Sequence, residues 1–188
     1  MVRPREFNED QVRDAIMQVF WEKGYEATSM QDLMDATGLL KGSLYGAFGD
    51  KKAMYMVALS QYDRNYVQAG IDMLGMDGSP HVRIGRLFDS VRESLETGVF
   101  AGGCLLCNAS VEMAPVDDTV RKVVQNQISR LKQAVAMVLD PSHPDSHEAN
   151  TLSGVIVTAY FGTRVIAKAG MPGQMVDDAK NQCLALIS

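Results

Sequence analysis

The chain has 188 residues, of which 46% are apolar and 22% charged, the balance of one or two soluble globular domains. Eighteen Lys and Arg against 23 Asp and Glu give a net charge of −5, which excludes a uniformly basic nucleic-acid coat but not a local basic patch. No apolar run reaches the roughly 18 residues of a membrane helix; the polar start Met1-Val2-Arg3-Pro4-Arg5-Glu6 lacks a signal peptide's apolar core, and three cysteines are too few for a disulfide scaffold, so a reducing cytoplasm is expected.

Nearly every segment carries apolar residues at helical period, and none sustains strand alternation. Residues 8–23 place Val12, Ala15, Ile16, Val19 and Phe20 on one face, with Asn8 as cap and Glu9 and Asp10 in the first turn. Gly24 ends that helix. A short helix follows Thr28-Ser29 with Met30, Leu33 and Met34 inward, Gly38 breaks it, and another runs from about Leu40 to Ala47. Asp50 caps a longer helix with the stripe Tyr55, Leu59, Tyr62 and Tyr66. Ser79-Pro80 opens a helix over 80–98, closed by Gly98 and Gly102-Gly103. Further helices are expected over about 104–114, 117–139, 147–169 and 173–187. The fold class is therefore all-α with about nine helices: a small head at 1–50 and a helical body at 51–188.

Residues 28–48 hold the functional signal. Two short helices meet at a tight turn around Gly38, the layout of a helix-turn-helix. Leu33, Met34, Leu39, Leu44 and Phe48 are spaced to pack, which turns Lys41, Gly42, Ser43 and Tyr45 to solvent. One cation, a glycine, a hydroxyl and a phenol suit close approach to DNA, and packing alone requires no such face. The charge is unfavourable: residues 1–55 hold seven basic and nine acidic side chains. Arg3, Arg5, Lys41, Lys51 and Lys52 must then share one side, with Glu6, Glu9, Asp10 and Asp14 turned away. Arg3 and Arg5 read equally as an arm reaching DNA or as a solvated tail.

The run Gly24-Tyr25, Thr28-Ser29-Met30, Ala36-Thr37-Gly38, Lys41-Gly42-Ser43-Leu44-Tyr45, Phe48, Lys51 and Leu59 resembles the DNA-binding domain of TetR/AcrR-family transcriptional regulators, over about residues 9–60. The resemblance implies that Thr28 and Ser29 meet a phosphate at a helix start, that Tyr45 and Lys51 contact phosphates, and that Lys41, Gly42 and Ser43 face base edges. It departs from the family at Leu40, where a small hydroxyl residue is usual, and at Gly46-Ala47, where a bulkier polar pair is common. Implied with it are a homodimer on a double-stranded, pseudo-palindromic operator with half-sites about 34 Å apart, a small-molecule effector that releases it, and no cofactor.

In the body, Gly154, Ala159, Gly162, Ala167 and Ala169 beside Val155, Ile156 and Val165 suit a dimer interface. The last helix offers Val176, Ala179, Cys183 and Ile187 for the same use, and core packing is the competing reading. By analogy with the family, an effector pocket lies among the body helices. Its candidate polar residues are Cys104, Asn108, Glu112, Tyr160 and Arg164, the first three on one face at steps of four. Cys104-Leu105-Leu106-Cys107 stands at a helix N-terminus, where the dipole favours thiolate. Structural packing, redox or electrophile sensing, and a thiol enzyme with Glu112 as proton relay are the readings of that pair, although a disulfide inside one helical turn would strain the backbone. His143 and His147 straddle Pro144 in a loop and His81 has no evident partner, so no metal site is expected.

Overall fold

The structure, a computed structural model, describes residues 8–97 and 103–187. Among these residues there is no strand. The helices are α1 (Glu9–Lys23), α2 (Met30–Thr37), α3 (Lys41–Phe48), α4 (Lys51–Tyr62, a π turn at Asp63–Val67, then Gln68–Gly75), α5 (Pro80–Thr97), α6 (Leu105–Glu112), α7 (Asp118–Leu139), α8 (His147–Lys168) and α9 (Gln174–Ala185). The suggested arm at Arg3 and Arg5, the acid Glu6 expected to turn away, and the helix stop at Gly98 and Gly102 lie outside the described residues.

Local chemistry sets most of these boundaries. Asn8 accepts from the amides of Asp10 and Gln11 at 3.1 and 3.3 Å, and Asp50 accepts from Ala53 N at 2.8 Å. Ser29 and Asp32 form a reciprocal capping box on α2. Asp117 caps α7 by accepting from the amides of Thr119 and Val120, and Ser146 caps α8 by accepting from that of Ala149. Each such cap stabilises its helix by about 1 kcal/mol. At α3 the cap position holds Leu40, which makes no side-chain cap bond and is 75% exposed.

Two apolar clusters hold the fold. The first joins α1, α2, α3, the start of α4, α6 and the start of α7 around Phe20, Trp21, Leu33, Leu44, Tyr55, Leu106 and Val120. Phe20 and Trp21 clamp the aromatic stripe of α4, with Phe20 edge-on to Tyr55 at 5.1 Å and Trp21 edge-on to Tyr62 and Tyr66 at 5.1 and 4.8 Å. Pairs of this kind add about 0.5–1.5 kcal/mol beyond their burial. The second cluster joins the end of α4 to α5, α7, α8 and α9 around Leu74, Phe88, Leu131, Ile156 and Val176. At the π turn, Arg130 on α7 pairs with Asp63 at 2.6 Å and reaches Gln68 Oε1 at 2.6 Å, which fixes α4 where its hydrogen-bond pattern widens.

The small-residue interface needs redistribution. Val176 and Cys183 are buried in the chain's own second cluster, and Ala179 and Ile187 pack against it, so the stripe chosen on α9 is core. Ile156 on α8 is fully buried as well. The uncovered apolar face is instead Val155, Gly162 and Val165 on α8, with Met175 on α9 and Leu186 just beyond it.

Candidate nucleic-acid interface and the crevice behind it

Helices α2 and α3 are held from one side. Leu33, Leu44 and Phe48 are buried against α1 and α4, while Lys41, Gly42, Ser43, Tyr45 and Gly46 are all exposed. The exposed set lies on one short helix with a rigid back, so its side chains project from a fixed platform. An added Cβ at Gly42 or Gly46 would meet nothing within 4 Å. A helical glycine costs roughly 1 kcal/mol relative to alanine, and no crowding within the chain explains either one. Tyr45 is 41% exposed, with Lys41 Nζ 5.8 Å from its ring centre, so cation and phenol form one patch.

The other predicted phosphate contacts divide. Ser29 is exposed, but its hydroxyl both caps Asp32 N and donates to the Asp32 carboxylate at 2.7 Å. Lys23 completes that cluster at 2.5 Å and, with the amide and hydroxyl of Ser29, holds Asp32 well below its ordinary pKa. Thr28 corrects the expectation: it is 1% exposed, and its hydroxyl donates to Gly24 O at 2.6 Å. Its position closes the α1–α2 connection and turns the hydroxyl inward. Lys51 is half-buried, its ammonium 4.6 Å from the Tyr25 ring centre and 3.4 Å from Glu26 O. Asp14, one of the unwelcome acids, accepts from Gln61 and Asn65 of α4 at 2.7 and 2.9 Å.

Behind the head, α6 joins it to the body. Its Glu112 carboxylate accepts from the amides of Tyr25 and Glu26, both at 2.8 Å, and Asn108 Nδ2 donates to Trp21 O at 3.3 Å. Gly24 makes that approach possible: its φ is +80°, and a Cβ there would sit 2.9 Å from Glu112 Oε2. Glu112 is thus a strut between head and body, both of its carboxylate oxygens engaged by amides of the head. Charge-assisted bonds to amides are roughly twice as strong as neutral ones.

Four of the five predicted effector residues do meet. Cys104, Asn108, Glu112 and Arg164 line a crevice of about 360 Å³ between head and body, together with Lys23, Gly24, Cys107 and Lys168. Tyr160 lies deeper, in a cavity of about 80 Å³ that Cys104 and Arg164 also line. Cys104 and Arg164 therefore form the partition between the two spaces. The rest of the inner cavity includes Tyr62, Tyr66, Gly70, Leu131 and Phe161. From the sequence Tyr62 and Tyr66 show only as a core stripe, because facing a void depends on helices distant in sequence.

At the partition, Arg164 is 6% exposed and bonds Tyr160 Oη at 3.2 Å, Tyr62 Oη at 3.3 Å and Gly103 O at 3.4 Å. Tyr62 Oη in turn donates to Cys104 Sγ at 3.4 Å. Burial alone would raise the Cys104 thiol, but the Cys107 thiol, the Arg164 guanidinium and the Tyr62 hydroxyl together hold it well below its usual range. Cys107 is pushed the opposite way, chiefly by its hydrogen bond to Cys104 and then by burial. Cys104 sits at the N-cap with extended backbone (φ −125°, ψ 121°), outside the first helical turn. Among the described residues no His, Cys, Asp and Glu cluster could hold a metal ion.

Comparison with known proteins places both halves. Residues 12–56 match the tetR family of bacterial regulatory proteins, and residues 80–182 match the C-terminal domain of LmrA/YxaF-like transcriptional regulators. The HTH-type transcriptional regulator YezE of Bacillus subtilis is 30% identical over 71% of this chain and 69% of its own length. The HTH-type transcriptional repressor BdcR of Escherichia coli is 25% identical over 93% of this chain and 91% of its own. For the E. coli repressor ComR, 26% identical, the match spans 60% of that protein. Among solved structures, a cysteine variant of the TetR-family regulator CifR, complexed with 26-bp double-strand operator DNA, superposes with a TM-score of 0.85. It is 25% identical over 97% of this chain and 98% of that one. The reduced form of E. coli NemR shares the fold with a TM-score of 0.82 at 18% identity, over 94% and 97% of the chains.

Proposed function

The chain belongs to the TetR family of bacterial transcriptional regulators, and we propose that it works as a repressor that binds a pseudo-palindromic operator as a dimer and is released by a small-molecule effector. Residues 1–50 serve as the DNA-binding head and 51–188 as the body that dimerises and takes the effector. The observation that carries this reading is the exposed face Lys41-Gly42-Ser43-x-Tyr45 on a helix whose opposite side is fully packed. Gly42 and Gly46 let the backbone of α3 come close to the groove. Lys41 and Ser43 meet base edges, and Tyr45 and Lys51 meet phosphates. Ser29 contributes through its position at the start of α2, where amides face an anion.

One head makes few phosphate contacts and binds weakly alone. Joining two heads makes the second contact effectively intramolecular. The exposed apolar face of Val155, Gly162, Val165, Met175 and Leu186 supports pairing through α8 and α9. Effector entering the crevice acts on α6, whose Asn108 and Glu112 hold the head, and so favours a head orientation that no longer fits both half-sites.

Fluorescence anisotropy with a labelled duplex from the gene's own upstream region tests the reading. A competitor-resistant, two-fold stoichiometric complex is expected. Failure to form one even at low salt would overturn it.

A further inference from the structure

We propose that Cys104 and Cys107 are a peroxide-reactive dithiol, which a hydroperoxide closes to a disulfide and which thereby loosens the head from its operator; this rests on the repressor reading above. Four features converge on it. Cys104 Sγ accepts the Tyr62 hydroxyl at 3.4 Å, and that hydroxyl is bonded by Arg164, so a buried cation and a donor stabilise the nucleophilic thiolate. Cys107 follows three residues on, at the start of α6, where its thiol donates to Phe161 O at 3.9 Å, so a second thiol stands beside the first with only a long, weak bond to give up. Alkylation by an electrophile needs one thiol only; a second one close by in the chain is what disulfide closure requires. Both sulfurs line the crevice of about 360 Å³ between head and body, which gives a small oxidant its route.

The chemistry balances without a further reactant. The Cys104 thiolate attacks the terminal oxygen of the hydroperoxide; the S–O bond forms as the O–O bond breaks, and the departing alkoxide takes a proton from water. Cys107 then gives up its proton as its sulfur attacks Cys104 Sγ. The S–S bond forms, the S–O bond breaks, and the leaving hydroxide takes that proton to become water. Two thiols are oxidised by two electrons, and the peroxide is reduced to an alcohol and water.

The consequence travels along one helix. The two sulfurs must close to about 2.05 Å, which frees Cys107 from Phe161 O and pulls on the first turn of α6. Eight residue steps, about 12 Å of helix, carry the chain from Cys104 to Glu112. Midway, Asn108 holds Trp21, and at the far end Glu112 holds Tyr25 and Glu26 of the head. Oxidation also removes the thiolate beside the Arg164 guanidinium. Cys183, buried in the second cluster, stands apart and serves as an internal control.

The test treats the full-length reduced protein with hydrogen peroxide, alkylates under denaturing conditions and maps the thiols by mass spectrometry, then titrates operator DNA before and after reduction. Expected are a Cys104–Cys107 disulfide with Cys183 free, and at least a tenfold weaker operator affinity that dithiothreitol restores. Cys107→Ser should leave DNA binding intact, abolish the response and trap a dimedone-reactive sulfenic acid at Cys104. Tyr62→Phe, which keeps the ring, should slow Cys104 oxidation several-fold. Three free thiols after peroxide, or a disulfide with unchanged operator affinity, would overturn the proposal. Because the disulfide is read without DNA, a reduced protein that never binds the operator counts against the repressor reading and not against the thiol chemistry.

Discussion

Helices α3 and α6 are both eight residues long and nearly opposite in character. The outward side chains of α3 touch little: Lys41 and Tyr45 lean on each other, and Gly42 and Gly46 open onto empty space. The polar side chains of α6 are almost all engaged, with Cys107 on Phe161 O, Asn108 on Trp21 and Lys168, and Glu112 on two amides. A surface that recognises a partner keeps its chemistry unspent on a rigid back. A helix that transmits a change spends its chemistry on both neighbours, so it cannot move without moving them.

That contrast is open to attack, and the largest effect should come from the engaged helix. Glu112→Ala orphans the amides of Tyr25 and Glu26 and should cost about 2 kcal/mol in urea unfolding. Operator affinity should fall with it, since the strut orients the head. If stability is unchanged, α6 is not the link described here. On the free helix, Tyr45→Ala should weaken DNA binding about tenfold, roughly 1.4 kcal/mol, on all sequences without altering stability. Lys41→Ala or Ser43→Ala should instead change sequence preference, which a panel of operator variants in competition titrations would reveal. Equal losses on specific and random DNA from all three would erase the division of roles.

A smaller effect, of opposite sign, is expected at the start of α3. Leu40→Ser supplies the missing cap and should raise stability by about 0.5–1 kcal/mol in a thermal melt. The weakest effect concerns acid. Lys23, then the amide and hydroxyl of Ser29, lower the folded-state pKa of Asp32, so its stabilisation is whole above the unfolded value of 3.8 and fades as pH falls below it. Asp32→Asn should flatten the acid limb of the stability profile by lowering the plateau above about pH 4 slightly, and leave the most acidic end nearly unchanged.

The same contrast explains what could be read from the sequence. Caps at Asn8, Ser29, Asp50 and Ser79, the break at Gly38 and the stripe along α7 are local, and the helices fall where that chemistry puts them. The outward face of α3 was legible because a short amphipathic helix has only one way to bury Leu44 and Phe48. Glu112 was correctly grouped with Cys104 and Asn108 on one helix face, yet its partners are 86 and 87 residues away, and spacing says nothing of that distance. Thr28 misled for the same reason: a hydroxyl before a helix can cap it or turn back to the preceding carbonyl, and here it turns back. On α9 an apolar stripe was visible, but the choice between own core and partner depended on how α5 and α8 pack.

The wide turn at Asp63–Val67 carries a geometrical consequence. Buried positions along α4 step by three or four residues through Tyr55, Leu59 and Tyr62, then by five to Val67, before Gly70 and Leu74 resume the ordinary rhythm. One surplus residue shifts the rod's phase by about 100°, so the flank that meets Trp21 and the flank that meets Leu131 belong to a single continuous helix without lying in line. The angle at which the reading helices leave the body is thus written into the count of residues in one loop of backbone, much as the offset of a crankshaft is fixed by where the bend is made.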